Sequence, residues 1–405
     1  MNKKKIINDP VYGFITIPHE LIFEIIEHRY FQRLRRIKQL GLTEMVYPGA
    51  IHTRLNHALG ALHLMGQAIE TLRNKGIEIS AEEELGANVA ILLHDIGHGP
   101  LSHALENKIL PIHHETLSLM FMEAMNAELG GRLSIGIEIF CDTYPKKFLH
   151  QLVSGQLDMD RMDYLNRDSF FTGVSEGVIG YDRIIKMLNI VDNELVIEEK
   201  GIYSIEKFLI ARRIMYWQVY LHKTVVSAEQ MIIKLIDRYK KNYSGQGGDV
   251  EIHSFEHFLL AQHPLDDFLE PKNDLLDHFS EFDDCNLISL IKKLSKHEDF
   301  VLSFLAKGII NRQLLKVEFH ANAPSGEKIK EYQQKAMKTY NISATEADFL
   351  VFTGTESNRT YSKQKDEIKV LFKSGEVRPF STLSEYYISS EDITKHYFCY
   401  PRWLS

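Results

Sequence analysis

One short segment restricts the fold of this chain more than any other. It is the almost entirely apolar run 86–93, which ends directly in His94 and Asp95. Such a run, closed by Gly97 and Gly99, predicts a buried helix that stops at this point. A buried charge without a partner is strongly unfavourable, so Asp95 needs a cation, a base or a metal ion beside it.

The His94–Asp95 pair also has an ordinary explanation, in which the two side chains pair with each other or cap the helix. The neighbouring sequence favours chemistry instead. Six further histidines and glutamates follow within about twenty residues: His98, His103, Glu106, His113, His114 and Glu115. Such a density of ligands and proton carriers is typical of a functional site.

A third candidate ligand lies upstream of this pair. His57 opens an amphipathic helix whose small residues Ala58, Gly60 and Ala61 would allow a second helix to approach closely. On its own, such a histidine is more often exposed or a satisfied core residue. Its role therefore depends on what packs against it.

Carboxylates are concentrated in segment 158–168. If this segment is helical, Asp160, Tyr164 and Asp168 lie on one stripe because they are four residues apart, and Asp158 can cap the helix. The stripe could supply a metal ligand, a phenol and a carboxylate. A solvated acidic face is the alternative, and the residues alone leave both interpretations open.

Helical periodicity dominates the rest of the chain. The apolar residues between Leu55 and Leu72 predict one helix, and the pattern from Tyr144 to Ile232 predicts further helices joined by glycine-containing loops. Segment 6–17 predicts a short hairpin or an extended lead-in. Beyond Phe304, three runs predict strands: 314–319, 349–352 and 368–372.

Composition excludes several classes of protein. The formal net charge of -8 argues against a surface dominated by nucleic-acid contacts. Three widely separated cysteines predict neither disulfides nor a zinc-thiolate site, which fits a reducing cytoplasm. The longest apolar stretch, 89–93, is far shorter than the ~20 residues of a membrane helix, so we expect no membrane contact.

The order His57, His94–Asp95, Asp160 resembles the H…HD…D signature of the HD-domain phosphohydrolase superfamily. Within it, the chain is most similar to the deoxynucleoside triphosphate triphosphohydrolases. The similar stretches are 8–10, 31–35, 38–41, 47–49, 54–60, 94–103 and 158–168. The resemblance implies a mainly α fold, with an HD-domain helical bundle core over residues 1–240 and a smaller α+β C-terminal region over 250–405 that is regulatory or oligomerising.

By this resemblance, the enzyme hydrolyses a deoxynucleoside triphosphate (dNTP) to a deoxynucleoside and inorganic triphosphate. The implied ligands of a divalent metal are His57, His94, Asp95 and Asp160. Nitrogen and oxygen ligands of this kind do not choose among Mn, Mg, Fe and Zn. The implied catalytic residue is His103, supported by His98, Glu115 and Glu106, with His114 beside the glutamate.

The resemblance also implies which residues bind each part of the nucleotide. Gln39 and Leu40 would line the sugar pocket, Tyr164 would exclude a ribose 2′-hydroxyl, and Asp168 would accept the 3′-hydroxyl. Arg54 and Arg212 would bind the triphosphate, and Arg161 stands where the family usually has a phosphate-binding lysine. Helical spacing independently predicts a cationic and phenolic stripe, made of Arg212, Tyr216, Tyr220 and Lys223. Tyr216 and Leu221 replace polar residues near the base, which leaves the base preference open.

Members of this family are often oligomers with nucleotide-binding regulatory sites between subunits. The resemblance therefore implies a homo-oligomer, a dimer or tetramer, and a nucleotide activator; Arg35 is similar to a guanine-contacting position in one such site. Two rival functions stay open. One is another HD reaction, on a nucleoside monophosphate, a cyclic dinucleotide or an alarmone, and the other is a non-catalytic nucleotide-sensing or nucleic-acid-binding protein.

Overall fold

The computed structural model describes residues 5–101, 105–106, 108–243, 255–261, 263–270, 274–358, 367–383 and 393–404. Within these ranges the chain is mainly α-helical and carries three small β-sheets, which confirms the predicted fold class. No helix in this part of the chain combines the length and the apolarity that crossing a bilayer requires.

The helices up to residue 243 form a bundle. In chain order they are α1 (Glu20–Glu27), α2 (Arg29–Gln32), α3 (Arg54–Asn74), α4 (Ala81–Leu93), α5 (His114–Glu128), α6 (Ser134–Phe140), α7 (Lys147–Val153), α8 (Met159–Thr172), α9 (Tyr181–Met187), α10 (Ile202–Met215) and α11 (Lys223–Tyr243). At the centre, α3 packs against both α4 and α8. The predicted helix over 55–72 is confirmed as part of α3.

The N-terminal segment forms the predicted hairpin. Strand β1 (Ile6–Asp9) pairs antiparallel with β2 (Gly13–Thr16). Asp9 Oδ1 accepts the backbone N–H groups of Val11 and Tyr12 at 2.9 and 3.0 Å. The side chain of Asp9 thus fixes the turn, while its second oxygen stays available for a partner elsewhere in the bundle.

Helix α8 begins and ends as its sequence indicates. Asp158 caps it, because its Oδ1 accepts the N–H of Arg161 at 2.7 Å. The helix ends at Gly173, whose φ of +74° is the left-handed conformation that glycine adopts without strain. Gly177 and Gly180 also lie in the connection to α9, as predicted.

Residues 188–198 do not follow the helical pattern predicted between Tyr144 and Ile232. They form a hairpin of β3 (Leu188–Val191) and β4 (Glu194–Glu198). The turn residues Asp192 and Asn193 both have positive φ, 51° and 64°. A two-residue hairpin turn needs this conformation, and Asp and Asn tolerate it. The helical prediction is therefore wrong here, and this Asp-Asn pair is the local signal for the hairpin.

The predicted stripe through Arg212 and Lys223 is also interrupted. Helix α10 ends at Met215, and residues 216–220 form a π-helical turn in which Leu221 N–H donates to Tyr216 O at 2.7 Å. The wider π turn breaks the helical register, and α11 begins only at Lys223. Lys223 is exposed and does not continue the stripe.

The C-terminal region contains seven described α-helices, one sheet of its own and two strands of a sheet that it shares with the bundle. Its helices are α12 (Glu256–Leu260), α13 (Leu265–Leu269), α14 (Leu275–Ser280), α15 (Asp284–Leu294), α16 (Phe300–Ile310), α17 (Gly326–Tyr340) and α18 (Ala344–Ala347). Its strands are β5 (Lys316–His320), β6 (Phe352–Asn358), β7 (Lys369–Leu371), β8 (Val377–Pro379) and β9 (Ile393–Tyr400). One sheet has the order β5-β9-β6, whereas β7 pairs parallel with β4 and so joins the region to the bundle.

Two of the three predicted strands are confirmed with shifted ends, β5 and β7. Of the third predicted run, 349–352, the first three residues are not strand, because the N–H groups of Leu350 and Val351 both donate back to Ala347 O at the end of α18. Strand β6 begins only at Phe352. Residues 244–249, a glycine-containing stretch between the two regions, lie outside the described residues.

Candidate metal centre and substrate pocket

Helices α3, α4 and α8 bring four candidate ligands together. His57 Nε2 lies 3.4 Å from His94 Nε2 and 3.1 Å from Asp160 Oδ1. His94 Nε2 lies 3.5 Å from Asp160 Oδ1 and 3.4 Å from Asp95 Oδ1, and His57 Nε2 lies 3.8 Å from Asp95 Oδ2. His57, His94 and Asp160, which span about a hundred positions of the chain, thus present ligand atoms within 4.8 Å of one another, and Asp95 lies beside them.

The outward nitrogen of each histidine is already bonded. His57 Nδ1 lies 2.7 Å from Asp163 Oδ2, and His94 Nδ1 lies 2.7 Å from Ile91 O. Both acceptors require a donated N–H, so in the neutral form of each imidazole Nε2 carries a lone pair that faces the cluster. Two imidazole lone pairs and two carboxylates directed at each other fit a divalent metal, because only a positive charge makes that arrangement favourable.

The electrostatics of the cluster agree with this fit. Burial alone would lower the pKa of His57, but the hydrogen bonds with Asp160 and Asp163 raise it to about 10. Burial would raise the pKa of Asp160, yet its bonds to His57 and His94 hold that pKa well below the usual range. The pocket therefore stabilises positive charge, which a proton or a metal ion can supply.

Arg54 lies inside this cluster rather than on its rim. It is 1% exposed, and its guanidinium forms an ion pair with Asp95 Oδ2. A buried carboxylate needs such a partner. The arginine that the resemblance assigns to the triphosphate is thus in direct contact with a candidate metal ligand.

A second histidine cluster adjoins the first. His98 stacks on His114 with ring centroids 3.9 Å apart, and His114 Nδ1 lies 2.5 Å from Glu106 Oε1. A second carboxylate joins this cluster, because Asp95 Oδ1 lies 3.4 Å from His98 Nδ1. The side chain of Glu115 is 66% exposed and lies 3.7 Å from His113 Nδ1. His103 lies outside the described residues.

Behind His57 lies a buried network that the sequence analysis missed. Asp163 bonds to His57 and, through both oxygens, to Arg167 at 2.9 Å. Arg167 in turn donates to both oxygens of Asp9, at 2.7 and 3.3 Å. A Cβ at Gly60 would lie 2.0 Å from Asp163 Oδ1, so a glycine is needed where the network passes α3. The four-residue spacing of Asp163 and Arg167 is the one local signal for this ion pair.

Asp168 marks the centre of the candidate sugar pocket. Its Oδ2 accepts the hydroxyl of Tyr220 at 2.7 Å, and its Oδ1 lies 2.8 Å from Nε2 of the buried His52. The ring of Tyr164 lies 6.3 Å from that of Tyr220. The π turn therefore directs Tyr220 at the acidic stripe of α8. His52, a second residue that the sequence analysis missed, follows no local pattern that would have singled it out.

Three polar atoms around this pocket are buried and have no hydrogen-bond partner among the described residues. They are Gln39 Oε1, His52 Nδ1 and Arg212 Nε. Toward the described residues, Arg212 otherwise makes one long bond, from Nη1 to Gln156 Oε1 at 3.4 Å. Leu40 lies beside Gln39 and is partly buried against the core. At the N-terminal end of α8, Arg161 forms an ion pair with Asp158.

A solved structure matches this chain from end to end. The crystal structure of a phosphohydrolase from Bacteroides thetaiotaomicron is 48% identical, covers 99% of this chain and 100% of its own, and superposes with a TM-score of 0.93. YwfO, an uncharacterized protein of Bacillus subtilis, is 31% identical over 421 aligned residues, which cover all of this chain and 94% of the relative. The model of the HD associated region matches residues 179–250.

The chain belongs to the HD-domain phosphohydrolase superfamily. HD phosphohydrolases are metal-dependent hydrolases, and the convergence of His57, His94 and Asp160 fits that class. The deoxynucleoside triphosphate triphosphohydrolase SAMHD1 of Homo sapiens is 31% identical over 273 residues, which cover 56% of this chain and 43% of that protein. The similarity to SAMHD1 thus spans little more than half of this chain and less than half of SAMHD1 itself.

Proposed function

We propose that the chain hydrolyses dNTPs to a deoxynucleoside and inorganic triphosphate. The observation that carries the proposal is the stripe of α8, on which Asp160 faces the metal cluster while Tyr164 and Asp168 follow at one and two helical turns. A sugar bound there would have its phosphate end at the metal and its hydroxyl end at Asp168. The similarity to SAMHD1 supports this substrate class.

In this proposal His57, His94, Asp95 and Asp160 hold the metal. When bound, a divalent ion polarises a phosphoryl oxygen and lowers the pKa of a water ligand. Asp163 and the carbonyl of Ile91 hold the two imidazoles in the tautomer that ligation requires. Arg54, through Asp95, adds fixed positive charge where negative charge accumulates during phosphoryl transfer.

Sugar recognition is assigned to α8 and the π turn. The ring of Tyr164 would clash with a ribose 2′-hydroxyl, and Asp168 would accept the 3′-hydroxyl. Tyr220 and His52 fix the Asp168 carboxylate, which keeps further lone pairs for the substrate. Gln39 Oε1 and Arg212 Nε are buried polar atoms without a described partner, and a bound nucleotide can satisfy them. Leu40 would supply apolar contact.

In this hydrolysis a water oxygen bonds to the α-phosphorus, the bond between that phosphorus and the 5′-oxygen breaks, and the 5′-oxygen gains a proton. We assign that proton to His103, with His98, Glu106 and His114 in supporting roles as the resemblance implies. Arg161 and Arg212 would bind the departing triphosphate. The exposed position of Glu115 makes it the weakest member of the proposed set.

We further propose that residues 1–240 form the catalytic core and that 250–405 form a region for regulation or assembly, with a dimer or tetramer as the working unit and a nucleotide as activator. The SAMHD1 relatives are named for a nucleotide substrate, the same chemical class as the proposed activator.

Product analysis tests the proposed reaction. Purified protein is incubated with each dNTP and NTP, with Mn²⁺ or Mg²⁺, singly and in mixtures that supply an activator, and the products are separated by chromatography. Deoxynucleoside plus triphosphate is expected. A deoxynucleoside monophosphate with pyrophosphate, or turnover only of monophosphates, cyclic dinucleotides or alarmones, would instead assign another HD reaction. The His94→Ala protein is the control for contaminating phosphatases.

A further inference from the structure

The N-terminus of α15, in the C-terminal region, reaches the loops that carry the candidate site. Asp284 is 6% exposed, and its two carboxylate oxygens accept backbone N–H groups from two separate segments. Oδ2 accepts the N–H of Lys38 at 2.9 Å, and Oδ1 accepts that of Leu101 at 2.8 Å. These bonds span more than 180 residues of sequence and connect the two regions of the chain.

The first segment leads directly into the substrate pocket. Lys38 precedes Gln39 and forms an isolated antiparallel bridge with Thr53. Across this bridge Gln39 N–H donates to His52 O at 3.0 Å, and Arg54 N–H donates to Ile37 O at 2.9 Å. The bridge therefore sets the positions of His52, which contacts Asp168, and of Arg54, which contacts Asp95.

The second segment is the turn that follows the His94–Asp95 pair. Leu101 adopts a φ of +53°, a left-handed conformation that is unfavourable for leucine and persists only where the surroundings hold it. It lies three residues after His98. Its backbone also packs against the first segment, because a Cβ at Gly41 would lie 3.3 Å from Leu101 O.

A fully buried arginine ties the same three pieces together. Arg33 Nη1 donates to Ile96 O and His98 O at 2.8 and 2.9 Å, and Nη2 donates to Phe282 O at 3.3 Å. The turn after α4 is thus bonded to Arg33 and to Asp284. Arg33 also bonds to Phe282, just before α15, and Asp284 is the first residue of α15.

We propose that Asp284 is a positioning residue of the active site, which holds the Lys38–Gln39 segment and the strained Leu101 turn in register for hydrolysis. Catalysis by the helical bundle then depends on a side chain from the C-terminal region. The inference rests on the proposed function only for the choice of substrate, and any phosphate ester that the wild-type protein hydrolyses will serve.

The test compares Asp284 with its neighbour Asp283, which is similarly buried at 4% exposure. Asp283 caps α15 through the N–H of Cys285 at 2.8 Å and pairs with Arg36, and neither bond reaches Lys38 or Leu101. Asp284→Ala removes both N–H acceptors, and Asp284→Asn keeps one. Asp283→Ala removes the N-terminal cap of α15 and serves as the matched control.

We expect kcat to fall about 10- to 100-fold in Asp284→Ala and less in Asp284→Asn, at wild-type metal content, because small misplacements of catalytic groups have effects of this size. Asp283→Ala should lower the melting temperature and keep kcat within about two-fold. Amide hydrogen exchange, which needs no substrate, should accelerate at 37–41 and 96–101 in the Asp284 variants alone. Should Asp284→Ala fail to fold, Asp284→Asn carries the test.

Equal losses of kcat in Asp283→Ala and Asp284→Ala overturn the proposal, as does wild-type exchange at both segments in the Asp284 variants. If the wild-type protein proves inactive on dNTPs, the proposed function fails by itself, and the exchange measurement still decides the role of Asp284.

Discussion

Helix α8 has two sides that differ in how completely their polar groups are bonded. On the side of His57, the chain of Asp163, Arg167 and Asp9 is buried and connected by bonds of 2.7 to 3.3 Å. On the side of the sugar pocket, Gln39 and Arg212 keep polar atoms that are buried and have no partner in the described part of the chain.

The difference in hydrogen bonding indicates a different role for each side. A fully satisfied buried network is rigid and can hold a metal ligand in one orientation before the metal arrives. An unsatisfied buried polar group lowers stability, so its presence in a folded protein calls for a functional explanation. We interpret the first side as fixed by folding and the second as completed by the nucleotide.

The largest effect should come from the ligands themselves. We expect His94→Ala and Asp160→Ala to lose bound metal and all measurable hydrolysis while keeping the helical circular dichroism, since the core of α4 is apolar. Metal content by atomic absorption checks this. His19→Ala, which removes only an exposed helix cap, should keep the metal. Near-normal turnover with unchanged metal in both ligand variants would refute the assignment.

A large effect is also expected from the network behind His57. Asp163→Ala should weaken metal affinity about 10- to 100-fold, because His57 loses the partner that orients it. It should also lower the free energy of unfolding by roughly 3–5 kcal/mol, because the buried Arg167 loses one of its two carboxylate partners. Chelator competition and urea unfolding measure the two quantities. Asp182→Ala, an exposed carboxylate on α9, is the control, and metal affinity that matches this control would show the network to be incidental.

A smaller, selective effect should separate the sugar pocket from the metal side. Tyr164→Ala should reduce the dNTP-over-NTP ratio of kcat/KM by about ten- to two-hundred-fold, because the steric barrier to the 2′-hydroxyl is removed, with metal content unchanged. Asp168→Asn should weaken all substrates that carry a 3′-hydroxyl. Tyr203→Ala, at a tyrosine that is 73% exposed, provides the control. An unchanged sugar preference would mean that Tyr164 is only a core residue.

The smallest effect is expected at Gln39, where a substitution should keep or raise the stability of the protein but weaken substrate binding. Gln39→Leu removes a buried acceptor without a described partner, so the free energy of unfolding should stay equal or rise by up to ~1–3 kcal/mol, while KM rises about 2- to 10-fold. Thermal melts and steady-state kinetics measure both. In Gln32→Leu, the matched control, stability should fall because its Nε2 donates to Ile26 O at 2.6 Å. A loss of stability in Gln39→Leu equal to that control would contradict the comparison drawn above.

Local patterns predicted the elements that carry the ligands. The apolar spacing of α3, the polar end of α4 and the cap at Asp158 each depend on residues within a few positions of one another, and all three are found in the structure. The β3–β4 hairpin was missed because the helical pattern was extended across it, although the Asp192–Asn193 turn is local information as well.

Contacts between distant segments could not be predicted in this way. Asp9, His52 and Asp284 each act on a residue more than a hundred positions away, and nothing in their own neighbourhoods specifies the partner. Arg54 shows the same limit, because its pairing with Asp95 follows from the packing of α3 against α4.

The sequence by itself determined the helix α3, the polar end of α4, the cap of α8 and the side chains that could bind a metal, because helical periodicity and the choice of ligand atoms are properties of short segments. Only the tertiary structure decided that the carboxylate beside His114 is Glu106, that the π turn directs Tyr220 at Asp168, and that the C-terminal region reaches the site through Asp284. The physical reason is that a hydrogen bond depends on ångström-scale distance and direction between atoms, which the packing of whole helices sets and which no spacing along the chain encodes.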